Sequence, residues 1–327
     1  MKRVPGAAMV MAIVMAAIMT AGCALPTGPR GLQGPAGLDG AVPIVVVSDL
    51  YPARALAFSA TTLVSVGDGA QIRVSADAKS WAAPSSMPDI SADLLSVAYG
   101  NGVFVAVGSG GTIVRSTAPG EIWLNAESGP GANDNLTSVA YNNGVFVAVG
   151  AFIFTSTDGG VTWVNNTPVE SGPFSNVSVA NGRFFTGTDA GELYSSVDGA
   201  SWSEAITLLT DLGGNFSAIV GVAYGNGAYL AVDISGNMAS SDDGATWEDM
   251  TSLVSTGDSQ VVDFSFGMDR FPVLVSGWPS EILWPYDELV WLYPVTSLPG
   301  SAYTSIQWVP WLRGGVYIVT QNAMLAV

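Results

Sequence analysis

A sequence unit that ends in tryptophan repeats along most of this chain, and it limits the possible folds more than any other feature. Residues 96–123, 138–163 and 221–247 begin SVAYGNGVFVAVG, SVAYNNGVFVAVG and GVAYGNGAYLAVD, and they align without gaps in this part. Strong and weak copies end at Trp81, Trp123, Trp163, Trp202, Trp247 and Trp291. These tryptophans are 42, 40, 39, 45 and 44 residues apart. A fixed period of this length indicates one supersecondary unit that is repeated side by side.

Each unit is predicted to contain four short antiparallel strands. Alternating runs such as VFVAVG and TIVRS are separated by Gly-Asn-Gly and Gly-Ser-Gly-Gly, which are hairpin signals. In residues 96–123 the strands are expected at SVAYGN, at VFVAVG, at TIVRS and from the tryptophan onward. Four strands in about 40 residues is the length of one β-propeller blade. The sequence therefore predicts an all-β propeller.

The turn before most of these tryptophans has the pattern Ser-x-Asp-x-Gly-x-x-Trp or a form one residue shorter. Ala118 replaces the aspartate in the second copy, and Pro285 replaces the serine in the sixth. This pattern resembles the Asp-box, or BNR repeat, which is found in sialidase-like propellers and in photosystem II assembly factors. The resemblance covers residues 75–291 and implies a structural role for the aspartates and for the repeat tryptophans. The aspartates are Asp77, Asp158, Asp198 and Asp243. A catalytic aspartate would not be repeated in several copies and then replaced in one of them, yet Ala118 stands at the aspartate position of the second copy.

The strand count predicts seven blades, with six as the alternative. After the last repeat tryptophan, further strands are predicted at residues 303–309, 315–320 and 323–327. The apolar run at residues 43–47 precedes the first unit and has no blade of its own. We expect residues 44–47 to pair beside residues 323–327 as the outer strand of the last blade, because closure hides sheet edges. Six blades would result if the C-terminal segment were irregular.

The N-terminus is typical of an export signal. Lys2 and Arg3 precede an unbroken apolar run at residues 7–19, which is shorter than the ~20 residues of a membrane-spanning helix. Thr20-Ala21-Gly22-Cys23 resembles the bacterial lipobox, which implies that Cys23 is lipidated. The lipobox prefers leucine where this chain has Thr20, so free secretion after cleavage near Ala24 is the alternative. Residues 1–23 are therefore predicted to be a lipoprotein-type signal peptide.

A collagen-like segment follows at residues 24–42 and separates the signal from the predicted propeller at residues 43–327. Glycine occupies every third position, at 28, 31, 34, 37 and 40, as in the collagen triple helix. Two interpretations follow: an extended stalk on a monomer, or a short trimerisation segment.

Composition excludes several function classes. The chain has no histidine, and Cys23 is its only cysteine, so histidine-ligated zinc chemistry, Ser-His-Asp catalysis and internal disulfides are not expected. The formal charge is −17, and it becomes −19 when Lys2 and Arg3 leave with the signal. Such a chain repels phosphate backbones, so nucleic acid is not an expected partner. No cofactor is predicted, although calcium is a candidate.

The turns between the second and third strands of each unit contain the candidate binding residues. They carry Asp68, Ser109, Asp189, Asp233, Trp278 and Gln321. Carboxylates around a channel mouth suit a hard cation or an acid/base pair, and such aspartates also cap glycine-rich turns. Trp278 is the candidate stacking platform for a sugar or a protein. Asp68, Asp189, Asp233 and Trp278 are thus predicted to form a binding site.

The predicted function is a non-catalytic, surface-tethered module that binds an extracellular glycan or protein. A sialidase-like glycoside hydrolase is one alternative. The resemblance to sialidases implies an arginine triad in the central pocket, but Arg73 and Arg115 fall in third strands, away from such a pocket. An assembly factor that resembles the photosystem II propellers is another. Those propellers match in architecture and carry a basic patch that this acidic chain lacks.

Overall fold

The computed structural model describes the protein from residue 44 to residue 321, with gaps. The described residues are 44–47, 53–117, 119–168, 171–208, 216–250, 260–266, 271, 273–276, 280–286, 291–298, 303–309 and 316–321. All of them belong to one compact unit, Pro43–Val327. The predicted signal peptide and Gly-X-Y segment, Ala118 and Trp278 lie outside the described residues.

The described residues form strands and one short 3-10 turn. The strands are β1 (Ile44–Val47), β2 (Ala53–Phe58), β3 (Leu63–Gly67), β4 (Gln71–Ser75), β5 (Leu94–Gly100), β6 (Val103–Gly108), β7 (Ile113–Thr117), β8 (Leu124–Asn125), β9 (Leu136–Asn142), β10 (Val145–Gly150), β11 (Ile153–Ser156), β12 (Val164–Asn165), β13 (Phe174–Ala180), β14 (Arg183–Thr188), β15 (Glu192–Ser196), β16 (Ile206–Thr207), β17 (Ile219–Gly225), β18 (Ala228–Asp233), β19 (Met238–Ser241), β20 (Glu248–Asp249), β21 (Gln260–Phe264), β22 (Val273–Ser276), β23 (Ser280–Tyr286), β24 (Trp291–Leu298), β25 (Tyr303–Val309) and β26 (Val316–Gln321). The 3-10 turn is Ser109–Gly111. The described ranges contain no helix with the length and hydropathy of a membrane span.

These strands form seven sheets within the described residues. Five sheets have four strands, in the orders β5-β6-β7-β8, β9-β10-β11-β12, β13-β14-β15-β16, β17-β18-β19-β20 and β21-β22-β23-β24. Two sheets have three strands, β2-β3-β4 and β1-β26-β25. The bridge between Val74 and Ala82 adds a fourth, one-residue rung to the sheet of β2. The predicted antiparallel meander of each unit is confirmed.

The second strand of each well-described sheet is buried on both faces. In β6, β10, β14 and β18 every residue after the first is buried, which explains why β6, β10 and β18 are almost continuously apolar. The hairpins that precede them turn at Asn-Gly, with a positive φ at Asn101, Asn143, Asn181 and Asn226. Asparagine followed by glycine suits the two-residue turn that matches strand twist.

Neighbouring sheets contact each other through their first strands. β2 contacts β5, and the series continues through β9, β13, β17, β21 and β25, which in turn contacts β2. Side chains in these strands bond to the backbone of the next sheet: the Val139 N–H donates to Ser96 Oγ at 3.1 Å, and the Ile306 N–H donates to Asp263 Oδ2 at 2.9 Å. Polar residues in the first strands therefore link the sheets.

Apolar layers fill the space between neighbouring sheets. Trp123, which is 1% exposed, packs with Val64 and Ile72 of the preceding sheet and with Phe104 of its own. Its indole N–H donates to the carbonyl of Gly120 at 2.8 Å. Burial of a tryptophan side chain with its one polar atom bonded contributes several kcal/mol.

The N-terminal strand joins the C-terminal sheet, but not in the predicted position. β1 pairs directly with β26, and Ile44 faces Tyr317 while Val47 faces Thr320. The prediction paired residues 44–47 beside residues 323–327, as the outer strand of an antiparallel blade. Instead, β1 pairs directly with β26, and the pairing is parallel. Residues 322–327 lie outside the described residues. The free edge of β26 can be covered by any apolar strand of suitable length, so local sequence does not decide which one pairs there.

Candidate binding face

Two sets of connections lie at the same end of the sheets. Because consecutive strands are antiparallel, the turn between the second and third strands meets the loop that leads into a first strand. We call this end the loop face. Asp68, Asp189 and Asp233 all lie there, each in a different sheet. The structure thus places the three predicted carboxylates on one face but in three different environments.

Asp68 is held by an arginine. Arg54 Nε lies 2.7 Å from Asp68 Oδ1, and Arg54 Nη2 lies 3.2 Å from Asp68 Oδ2, a bidentate pair. The hydrogen bond to Asp68 raises the pKa of Arg54, burial opposes this shift, and the charges of Asp68 and Asp93 reinforce it. Asp93 also accepts the N–H of Gly69 at 2.8 Å. Sequence analysis missed this pair because Arg54 lies in β2, whereas Asp68 lies in the turn between β3 and β4.

Asp233 has no exposed surface. Its Oδ1 accepts the N–H groups of Ser235 and Asn237 at 2.9 and 2.8 Å. Its Oδ2 accepts the N–H and hydroxyl of Ser217 at 2.8 and 2.9 Å and the side-chain amide of Asn237 at 2.6 Å. The carboxylate closes its own turn and ties that turn to the loop before β17, so it offers no free oxygen to a ligand.

Asp189 is exposed at the tip of the turn between β14 and β15. Within the described residues, no hydrogen bond to its carboxylate is formed. The turn is instead capped by Thr188, whose Oγ1 accepts the N–H of Glu192 at 3.2 Å. Of the three predicted carboxylates, Asp189 is the one available to a partner.

Phe152 is a loop-face residue that sequence analysis missed. It lies in the turn between β10 and β11 with 39% of its surface exposed, and its ring packs edge-on against Phe154 with centroids 6.4 Å apart. The other well-described sheets have polar or small residues in this turn, apart from the half-buried Ile234. An exposed aromatic side chain on a rigid turn is suited to a protein contact. A large aromatic residue in a turn that is otherwise mostly polar or small was the sequence signal that could have identified Phe152.

A central cavity opens between the first strands. It has a volume of about 560 Å³ and is lined by residues of β2, β5, β9, β13, β17 and β21. Arg54, the partner of Asp68, is one of the lining residues. A cavity of this size falls within the range of small-ligand sites. Among the described residues, no group of three or more carboxylate, cysteine or histidine side chains is arranged to hold a metal ion.

The Ser-x-Asp turns lie at the opposite end of the sheets. Asp158 Oδ1 accepts the N–H groups of Val161 and Thr162, each at 3.0 Å, and Asp158 Oδ2 accepts the Thr162 hydroxyl at 2.6 Å. Asp77, Asp198 and Asp243 accept equivalent backbone N–H bonds. Each turn is therefore closed by its aspartate, as in an Asx turn.

These hydrogen bonds lower the pKa of all four turn carboxylates. The N–H groups of Thr246 and Ala245 bring the pKa of Asp243 to about 2. Burial raises the pKa of Asp158, but bonds from Thr162, Ser156 and Val161 outweigh it and bring that pKa to about 2. A carboxyl with a lowered pKa stabilises the fold above its unfolded pKa, near 3.8, and loses this contribution as pH falls towards its folded pKa.

Asp158→Ala should lower the free energy of unfolding by about 1 kcal/mol at neutral pH, because it removes the side-chain acceptor that closes the turn. The difference from wild type should shrink as pH falls from about 4 to about 2. Urea unfolding at a series of pH values would measure this difference. Asp242→Ala removes the same charge from an exposed aspartate and is the control. Unchanged stability with loss of ligand binding would contradict a structural role.

Comparisons with known proteins identify the architecture. The WD40 β-propeller domain of Doa1 is similar with a TM-score of 0.64 at 12% identity, over 84% of this chain and 90% of that one. YCF48 bound to D1 peptide is similar with a TM-score of 0.53 at 19% identity, over 68% and 73%. YCF48 from Cyanidioschyzon merolae is similar with a TM-score of 0.52 at 19% identity, over 67% and 78%. This chain has a β-propeller fold.

The comparisons go no further than the fold. No protein-family model matches the sequence, and no curated protein matches it. Propellers that share the fold at such low identity differ in what they bind.

Proposed function

We propose that this propeller is a non-catalytic interaction module that binds an extracellular protein partner at its loop face. The observation that carries the proposal is the exposure of Asp189 and Phe152 on that face, beside turns that are held rigid by internal hydrogen bonds. A rigid rim with an aromatic anchor and a free carboxylate suits an extended segment that offers apolar and basic side chains. YCF48, which shares the fold, has been solved bound to a peptide.

The proposal includes a closed ring of seven blades that carry Asp-box turns. The series of first-strand contacts that returns from β25 to β2, and the pairing of β1 with β26, support closure. In such a ring the seven loop-face turns surround the mouth of the central cavity. A partner would then meet several sheets at once.

A selection for binding peptides tests the proposal. A phage-displayed library of random peptides would be selected against the full chain, and a glycan array would be probed in parallel with and without calcium. We expect peptide ligands whose binding falls by about tenfold in Phe152→Ser or Asp189→Ala, as for anchors in an interface. Val197→Ser and Asp158→Ala, on the opposite face, are the matched controls and should bind like wild type.

Other outcomes of this experiment count against a protein partner. A glycan signal with no selected peptides would assign the face to a sugar, with Trp278 as the first residue to test. A panel of chromogenic glycosides would be tested alongside, and hydrolysis that is abolished by Asp189→Asn would favour the glycoside hydrolase alternative. Selected peptides that bind the loop-face variants as well as wild type would place the interface elsewhere.

The proposal also includes surface tethering through Cys23, with the Gly-X-Y segment as a stalk on a monomer. If Cys23 carries lipid, Cys23→Ser should move the protein from the detergent phase to the aqueous phase in detergent partitioning, because acyl chains supply the membrane affinity. Ser59→Ala is a control outside the signal and should stay with the detergent phase. Wild-type protein found in the aqueous phase would instead support free secretion.

A further inference from the structure

Two neighbouring turns of the loop face stand on one apolar layer. Phe152 lies in the turn between β10 and β11, and Asp189 lies in the turn between β14 and β15 of the next sheet. Val149 and Ile153, one on each side of the first turn, pack in the same buried cluster as Tyr194 of β15. Because stacked sheets lie about 10 Å apart, these turns hold Phe152 and Asp189 at about that separation.

The backbone at both turns already has partners. The N–H of Gly150 donates to the carbonyl of Phe152 at 3.0 Å, and the N–H of Gly191 donates to the carbonyl of Thr188 at 3.2 Å. Thr188 Oγ1 also accepts the N–H of Glu192. Turns lie at the ends of strands, whereas a peptide that adds as a further strand needs a sheet edge. A segment that crosses these turns must therefore make its contacts through side chains.

The charge at the second turn favours an arginine on that segment. Asp189 is exposed, and within the described residues its carboxylate accepts no hydrogen bond. Glu192, at the start of the following strand, adds a second carboxylate. The described turns and loops of the loop face contain no lysine or arginine. A carboxylate with both oxygens free suits the planar guanidinium group, which donates two parallel hydrogen bonds.

The first turn favours a large apolar side chain. Phe152 is 39% exposed, and its ring packs edge-on against Phe154, which fixes its orientation. A ring that is already held in place loses little freedom when an apolar partner covers it.

The distance between the two turns selects the conformation of the segment. Polyproline II rises 3.1 Å per residue with three residues per turn, so residues i and i+3 point to the same side about 9 Å apart. In a β-strand, residues i and i+3 point to opposite sides. Polyproline II also needs no backbone partner, which agrees with contacts that are made by side chains alone.

We propose that the loop face binds a polyproline II segment that packs a large apolar side chain on Phe152 and pairs an arginine, three residues away, with Asp189. This inference rests on the proposed function and specifies the chemistry and spacing of its partner.

Fluorescence anisotropy with labelled peptides and the full chain tests the spacing. The peptides are proline-rich, and tryptophan and arginine stand one to six positions apart in either order. We expect the tightest binding at a separation of three, about tenfold tighter than at one or two, because only that peptide presents both side chains on one face at the required distance. Replacing its arginine by glutamine should weaken binding by about tenfold.

A charge exchange tests the pairing. Asp189→Arg should weaken binding of the arginine peptide by about tenfold or more and should favour the same peptide with glutamate in place of arginine. Its melting temperature should stay close to that of wild type because Asp189 is exposed. Asp242→Arg makes the same charge change at an exposed aspartate on the opposite face and should leave both peptides unaffected.

Equal affinity at all separations, or equal binding of the arginine peptide by wild type and Asp189→Arg, would overturn this inference. Random peptides that lose binding in Phe152→Ser but lack the spaced pair would overturn it and leave the proposed function in place. The absence of any peptide that binds the loop face would remove both.

Discussion

Asp233→Ala is expected to lower the free energy of unfolding by about 3 kcal/mol or more. The carboxylate is fully buried and accepts five hydrogen bonds. Alanine leaves the part-buried N–H groups of Ser217 and Asn237 and the Asn237 side-chain amide without their acceptor, and such unmet donors cost about 1–3 kcal/mol each when water cannot reach them. Urea unfolding followed by circular dichroism would measure the loss.

Asp189→Ala is the control for this prediction. It removes the same charge from the equivalent turn of the preceding sheet, where the carboxylate is exposed, so its effect on stability should stay within about 0.5 kcal/mol. Equal destabilisation by both variants would attribute the effect to charge removal. An Asp233→Ala protein of wild-type stability that has lost ligand binding would return Asp233 to the binding site.

Gly199→Ala is expected to destabilise the protein by about 3 kcal/mol, because this turn glycine meets the neighbouring sheet. Gly199 has a φ of +72°, which costs an L-residue roughly 1–2 kcal/mol. A Cβ atom there would also lie 2.6 Å from Val147 Cγ2 of β10, and overpacking of this kind costs about 1–3 kcal/mol. Thermal and urea unfolding would measure the sum of both effects.

Gly182→Ala isolates the backbone contribution. Gly182 lies in the same sheet with the same φ of +72°, but a Cβ atom there meets nothing within 4 Å. Its substitution should therefore cost about 1–2 kcal/mol, and the difference between the two variants measures the contact between sheets. Equal losses would show that the sheets move apart to admit the methyl group without cost.

The tryptophan repeat and its hairpins were predictable because they depend on neighbours in sequence. Alternation along VFVAVG and an Asn-Gly turn such as Asn101-Gly102 act within a few residues, and both lie in the structure as expected. The fourth strands begin just after the tryptophan, as β8 does after Trp123. The Ser-x-Asp motif likewise places each aspartate within bonding distance of its own turn.

The candidate site was only partly predictable. A shared motif position put Asp68, Asp189 and Asp233 in equivalent turns, but their surroundings differ through residues that the motif does not include. Arg54 pairs with Asp68, and Ser217 reaches Asp233 from the loop before β17. Phe152 became visible as an exposed side chain only with the turn in place.

The sequence by itself determined the all-β class, the four-stranded unit and the turns that cap themselves, because these follow from alternation and from hydrogen bonds over a few residues. Tertiary structure alone decided which of the three loop-face carboxylates has no hydrogen-bond partner among the described residues, and that β1 pairs in parallel with β26. Each of these depends on which sheets are neighbours and how their strands are aligned. The residues that meet there lie from 14 positions apart, as Arg54 and Asp68 do, to 273 positions apart, as Ile44 and Tyr317 do, and no local pattern records the distance between them.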